Sequence, residues 1–460
     1  MTQSVEPANR ARIASISERL DNLPRTRFHT RLLLVSGFGW MFDAMDILMI
    51  SSIVAAVAGQ WHLAPVTSQW VSSINIAGLF IGALVSGSLA DRFGRKTLFL
   101  ATLLIYSVFT GLAALSPSVT LLMIFRFIAG LGLGGELPIA STMVSELAPA
   151  RYRGSFVVLL ESFWAYGSIL AALIGYLVVP TLGWRIAFLF GGLPAFYVFV
   201  LRRGLPESPR FLASQGKFDE AEAVVSEMER YAGGARYEPA APQAAVPVTS
   251  KTTAAGSIFT TGYLKRTVVL WVMWAAMNFS YYGIFLWLPT QFVRKGFSLQ
   301  QALLFNLIIA VAQIPGYFSA AYLVEKIGRK ATFVSYLLCA AIGSYFFGQV
   351  ALAAKDIPEI LVWGSIISFF NLGAWGVVYT YTPELYPTRL RGSGSGWAAA
   401  VGRLFAFLAP LSIAVQIALF GSDATVFLAF TGVMILGGLI VLLFGPETRG
   451  RSLEALESAT

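Results

Sequence analysis

Cysteine is almost absent from this 460-residue sequence: Cys339 stands alone, which excludes an intrachain disulfide and a thiol-pair metal site. Histidine is nearly as scarce. His29 and His62 are the only two and lie far apart, so no metal cluster is suggested. No G-x-x-x-x-G-K-[ST] phosphate loop occurs, and direct use of ATP is unsupported. Neither an enzyme nor a cofactor is called for. Charge is also in short supply: Asp, Glu, Lys and Arg make up 12% of the chain, about half the share of an ordinary soluble domain. Within residues 1–30 no short apolar run precedes a small-residue cleavage site, so a removable leader is not expected.

What is abundant is apolar surface. Hydrophobic residues reach 56%, more than a soluble domain of this length hides, and the bilayer is the natural solvent for it. A spanning helix needs about 20 mostly apolar residues. That ruler predicts spans at 31–58, 68–90, 97–115, 119–145, 155–179 and 185–203, then at 264–290, 299–323, 331–352, 358–382, 393–419 and 423–444. Residues 1–30 read as a cytoplasmic tail, 31–203 as one six-helix bundle, 204–262 as a linker, 263–444 as a second bundle and 445–460 as a tail. Within the linker, 217–231 has the periodicity of an amphipathic helix, and the Pro- and Ala-rich stretch 238–256 reads as flexible.

The formal net charge of +9 invites a nucleic-acid reading, but its distribution favours topology. Of the 33 Lys and Arg, all but Arg126, Arg185, Arg294, Lys295, Lys355 and Arg403 fall in the tails and loops of one membrane side. That is the positive-inside pattern with both termini in the cytoplasm.

An internal repeat organises the chain. DRFGRK (91–96) matches EKIGRK (325–330), ELAPARYRGS (146–155) matches ELYPTRLRGS (384–393), and PESPR (206–210) matches PETRG (446–450). Three matches in one order at nearly one offset predict two copies of a six-helix unit in the same orientation, an all-α membrane fold with parallel repeats. GLGLGG (130–135) lies inside a predicted span and reads as helix packing.

GSLADRFGRK, RFIAGLGLGG, the RYRG loop and PESPRF resemble the major facilitator superfamily, especially its sugar-porter-like branches. FDAMD in the first span looks like a variant of the D-G-x-D signature of aromatic-acid/proton symporters. The run 375–403 is similar to bacterial niacin transporters, distant relatives of organic cation transporters. The resemblance implies twelve spans, alternating access and a bacterial inner-membrane location. It also implies that Asp91, Arg92, Gly94 and Arg95, with Glu325, Gly328 and Arg329, form a cytoplasmic latch that steadies one conformation without touching substrate.

Charges inside spans cost roughly 2.5–3.5 kcal/mol each at mid-helix, so the short set Asp43, Asp46, Arg126, Glu136, Glu161 and Arg403 is informative. Asp43 and Asp46 share one helix face. Two carboxylates at that spacing repel when both are ionised, which suits a group that loads and releases a proton; structural pairing to arginines or hydroxyls is the plainer alternative. By the resemblance, Asp46 is the proton site and Arg126 its partner, with Asp43 the competing assignment and Glu136 a further coupling residue.

Arg403 is the one cation of the eleventh span. Its guanidinium fork matches a carboxylate, although an ion pair with Glu136, Glu161 or a first-span Asp is equally natural for a buried arginine. Trp274, Asn278, Tyr281 and Tyr282 fall on one face of the seventh span, and Asn371, Trp375 and Tyr379 on one face of the tenth. Such faces suit clamping a planar ring with polar edges; interfacial anchoring is the alternative. Together these expectations describe import of a small aromatic carboxylate, nicotinate by the resemblance, with a proton as co-substrate. Arg403 would hold the carboxylate. Tyr281, Tyr282, Trp375, Tyr379 and Phe42 would frame the ring, and Asn278 or Asn371 would meet its polar edge. The chain is expected to work as a monomer in lipid. The rivals are transport of a sugar or an organic cation, and a transport-inactive receptor.

Overall fold

The computed structural model describes residues 7–149, 153–233, 258, 261–351, 356–386 and 388–448. The linker stretch 238–256, the first two residues of RYRG and the end of PETRG lie outside them. Every regular element among the described residues is helical. Among the described residues eleven helices are long and apolar enough to cross a membrane, and Trp184–Val200 is a shorter apolar segment.

The first half comprises α1 (Pro7–Asn22), α2 (Arg27–Gln60), α3 (Pro65–Phe93), α4 (Arg95–Ala113), α5 (Val119–Leu147), α6 (Arg153–Leu182), α7 (Trp184–Gly192) and α8 (Pro194–Gly204). Two short helices follow, α9 (Pro209–Ser214) and α10 (Phe218–Tyr231). The second half comprises α11 (Thr261–Arg294), α12 (Leu299–Val311), α13 (Gln313–Ile327), α14 (Arg329–Phe346), α15 (Ile357–Glu384), α16 (Thr388–Phe420) and α17 (Asp423–Phe444), with a π-helical turn at Phe347–Ala351. The sixth span breaks between α7 and α8 and the eighth between α12 and α13. Pro194 and Pro315 explain both breaks, because each lacks the N–H that would bond four residues back.

The two halves pair their helices alike. In the first, α3 packs on α5, α2 on α6, α4 on α5 and α4 on α7; in the second, α13 packs on α15, α11 on α16, α14 on α15 and α14 on α17. Between the halves α3 meets α16, α6 meets α12 and α2 meets α11. These contacts respect the same pseudo-two-fold relation, so the duplicated sequence folds into a duplicated structure whose seam runs between α2, α3 and α6 on one side and α11, α12 and α16 on the other.

Close approach in the first half depends on glycine. A Cβ on Gly130 would collide with the backbone oxygen of Asn75, and one on Gly134 with that of Leu79. The GLGLGG run therefore lets α5 lie backbone to backbone against α3.

The N-terminal segment holds more structure than its polarity suggests. Helix α1 buries Ile16 and Leu20, and α10 buries Phe218, Ala221, Val225 and Met228. The two are tied by a two-pronged pair in which Arg19 Nε and Nη2 donate to Glu229 Oε1 and Oε2, each at 2.8 Å. Burial in an intermittently apolar stretch, with a charge pair at its centre, makes a helix where composition alone reads as a tail.

Candidate functional site

A central cavity opens at the seam. Its walls come from both halves: Trp40, Glu161 and Trp164 from the first, and Trp274, Asn278, Tyr281, Tyr282, Trp375, Tyr379 and Arg403 from the second. It encloses about 840 Å3 of empty space, its open mouth included.

Arg403 projects from α16 onto this cavity. It makes no hydrogen bond and no ion pair among the described residues, and its electrostatic neighbours are the phenols of Tyr379 and Tyr282. A half-buried guanidinium without an acid is an unmet demand. The ion pairs that the sequence left open, with Glu136, Glu161 or a first-span Asp, do not form.

The aromatic walls are ordered by contacts with one another. Trp375 and Tyr379, one turn apart on α15, stack at 5.5 Å with 29° between planes, and Trp274 stands edge-on to both. Trp274 Nε1 donates to Thr382 Oγ1 at 2.9 Å. Tyr281 accepts from Trp164 Nε1 at 2.8 Å, a hydrogen bond across the seam. Asn278 lines the cavity while its Nδ2 donates to the Trp274 carbonyl at 2.9 Å.

Two expected ring contacts lie elsewhere. Phe42 packs edge-on against Tyr197 at 5.3 Å and is absent from the cavity wall. Asn371 is fully buried and donates to Ser280 Oγ at 3.1 Å, tying α15 to α11 below the cavity lining. Helical spacing put Asn371 on the face of Trp375 and Tyr379, but it does not say how far along that face the cavity extends. Trp40, Glu161 and Trp164 were not assigned to the site from sequence. The signal was present for two of them: Glu161 and Trp164 stand three residues apart on α6 and so share a face.

The charged core of the first half lies apart from the cavity wall. Arg126 on α5 grips Asp46 on α2, Nη1 to Oδ1 at 2.9 Å and Nη2 to Oδ2 at 3.0 Å. Thr110 Oγ1 donates to the same Oδ1 at 2.8 Å. Asp43 and Glu136 are also fully buried. They interact with each other and with Tyr106, yet their four carboxylate oxygens and the Tyr106 hydroxyl have no hydrogen-bond partner among the described residues.

The repeated loop motifs assemble into one cluster per half. Gly94 and Gly328 take φ of 96° and 97°, a region glycine enters freely, and each turns the chain into the next helix. Glu207 accepts from the backbone N–H of Arg95 and Lys96 at 3.1 and 3.2 Å, and Glu447 accepts from Arg329 and Lys330 at 3.0 and 3.1 Å. The acid at each helix start thus comes from PES or PET. Arg95 pairs with Glu146 at 3.6 Å, and Arg329 with Glu384 at 3.2 Å and Glu325 at 3.3 Å. Arg92 lies over the Phe93 ring; the Asp91 side chain is outside the described residues.

Comparison with known proteins gives concordant matches. The family model described as sugar (and other) transporter matches residues 37–459. The niacin transporter NiaP of Acinetobacter baylyi is 48% identical over 95% of this chain and 98% of its own length. A putative niacin/nicotinamide transporter of Bacillus subtilis is 42% identical over 92% and 98%. Among solved structures, the inward-open xylose transporter XylE of E. coli superposes with a TM-score of 0.73 at 20% identity, covering 94% of this chain and 99% of that one; at that identity it speaks for the fold alone.

Proposed function

This chain belongs to the sugar (and other) transporter family of the major facilitator superfamily, and from that premise we propose that it imports a small aromatic carboxylate, nicotinate, by proton-coupled alternating access. It is a multi-pass membrane transporter of a small molecule. One observation carries the choice of substrate class: Arg403 reaches the cavity without an ion-pair partner among the described residues. A carboxylate supplies that charge in the geometry a guanidinium fork accepts, and the stacked Trp375 and Tyr379 offer flat surface for the ring. The name of the Acinetobacter relative, a niacin transporter, supports the same choice, while that of the Bacillus relative covers niacin and nicotinamide alike.

In this reading the bundles 31–203 and 263–444 rock about the cavity, as parallel-repeat carriers do, in the bacterial inner membrane with both termini in the cytoplasm. Asp46 and Arg126 handle the proton, with Asp43 and Glu136 as the second acidic pair. The loop clusters around Gly94 and Gly328 steady one end state, and the chain works as a monomer. An organic cation would find Glu161 at the cavity wall but fits less well, because such a guest leaves Arg403 on the same wall unmatched.

Binding to the purified protein tests the proposal. Nicotinate should raise the melting temperature and nicotinamide should not, because the two differ chiefly in charge. Equal stabilisation by acid and amide would remove Arg403 as the anchor.

A further inference from the structure

Glu161 is left idle by a reading built on Arg403. It is 4% exposed, lines the same cavity, and makes no hydrogen bond or ion pair among the described residues. The Trp40 indole N–H is a hydrogen-bond donor directed at it, but the two do not meet in hydrogen-bond geometry, and the buried N–H has no other partner among the described residues. An acid and a donor, both unsatisfied, therefore face one space. Burying such groups is costly unless something completes them.

The relation between the two charged groups narrows what that something is. Arg403 and Glu161 border one cavity, come from opposite halves, and do not pair. Aromatic side chains, Trp164, Tyr281, Tyr282 and Trp375, line the space that both border. A flat ligand that meets both groups carries an anion on one edge and a hydrogen-bonding atom on another. A plain benzene ring satisfies Arg403 and leaves Glu161 unmet. A pyridine nitrogen satisfies both, because a carboxyl and a pyridine nitrogen hold one proton between them, as O–H···N or as O⁻···H–N⁺, with the same net charge either way. We propose that Glu161 reads the ring nitrogen and makes the site select pyridine carboxylates over benzenoid ones. The inference rests on the aromatic-carboxylate reading above and adds a specificity-determining residue to it.

Equilibrium binding to the full-length protein in lipid nanodiscs tests this with nicotinate, benzoate, picolinate and nicotinamide as probes. The wild type should bind nicotinate about tenfold or more tighter than benzoate, since a site built to hydrogen-bond rejects the analogue that lacks the partner atom. Picolinate, whose nitrogen sits beside its carboxylate, should rank with benzoate. Glu161→Leu should lower nicotinate affinity to the benzoate level and leave benzoate unchanged or improved, while Glu161→Gln, which keeps an N–H donor, should retain most of the preference. Wild-type protein that binds benzoate as tightly as nicotinate overturns the inference without any variant having to fold. So does Glu161→Leu weakening both acids by one factor. Failure of the Arg403 reading looks different: nicotinamide would bind as tightly as nicotinate.

Discussion

Arg126 and Asp46 form a two-pronged pair in which neither side chain is exposed to solvent. Asp46 also accepts from Thr110, so the carboxylate is held by three donors. Removing one partner of such a pair leaves the other charge buried alone, which typically costs about 3–5 kcal/mol. Asp46→Asn should therefore abolish uptake driven by a pH gradient in proteoliposomes, while exchange of labelled for unlabelled substrate continues at reduced rate. Gradient-driven uptake at the parental level would dismiss Asp46 as the coupling site.

Arg403 poses a sharper test because it has no structural partner to lose. Lysine keeps the charge but not the planar fork. Arg403→Lys should weaken nicotinate binding by about tenfold or more, the equivalent of 1.4 kcal/mol, and leave nicotinamide binding and the melting temperature of the free protein near parental values. Titration calorimetry reads the affinity and a thermal scan reads the stability. A variant that binds nicotinate as well as the parent leaves the fork without a role.

The glycines between α3 and α5 predict a contrast in folding. Gly130→Ala and Gly134→Ala each drive a methyl into a backbone oxygen of α3; backbone has no rotamer to yield, so the helices are forced apart. Gly432→Ala meets nothing within 4 Å and should improve helix propensity by about 0.5–1 kcal/mol. Yield of monodisperse protein after detergent extraction separates the cases. Equal yields from all three would mean that α3 and α5 pack less closely than described.

Much of this was legible in the sequence because the bilayer asks a simple question of each segment. Runs of about 20 apolar residues answered it, and the repeated GRK, ELxP and PE motifs revealed the duplication. The site was legible only as far as helical periodicity reaches. Spacing put Trp375 and Tyr379 on one face, and both line the cavity, but it put Asn371 there too, whose Nδ2 donates to Ser280 away from the cavity wall. Phe42 neighbours the functional acids in sequence yet turns to Tyr197, because successive helical residues diverge by about 100°. Helix α1 was missed because Ile16 and Leu20 are sparse apolar positions in a charged stretch, and only their docking reveals the helix.

Glu207 and Glu447 are counterparts in the two halves, and their equivalence yields the last prediction. Each carboxylate receives the first backbone N–H groups of a helix, α4 or α14, along with the N–H of its own successor, Ser208 at 3.0 Å or Thr448 at 2.9 Å. A helix start carries unpaired donors and partial positive charge, so a carboxylate there acts through both hydrogen bonds and the dipole. Glutamine offers one acceptor oxygen, no charge, and an amide group whose own N–H atoms face donors. Glu207→Gln and Glu447→Gln should each destabilise the protein by about 1 kcal/mol, and the double variant by nearly the sum, because the two sites belong to different halves and share no partner. Asp is one methylene too short to span the turn at Gly94 or Gly328 and should not rescue either site. Melting curves of the five variants decide it: unequal losses from the two glutamines would show that the halves, though alike in sequence and hydrogen bonding, do not bear equal load at their loops.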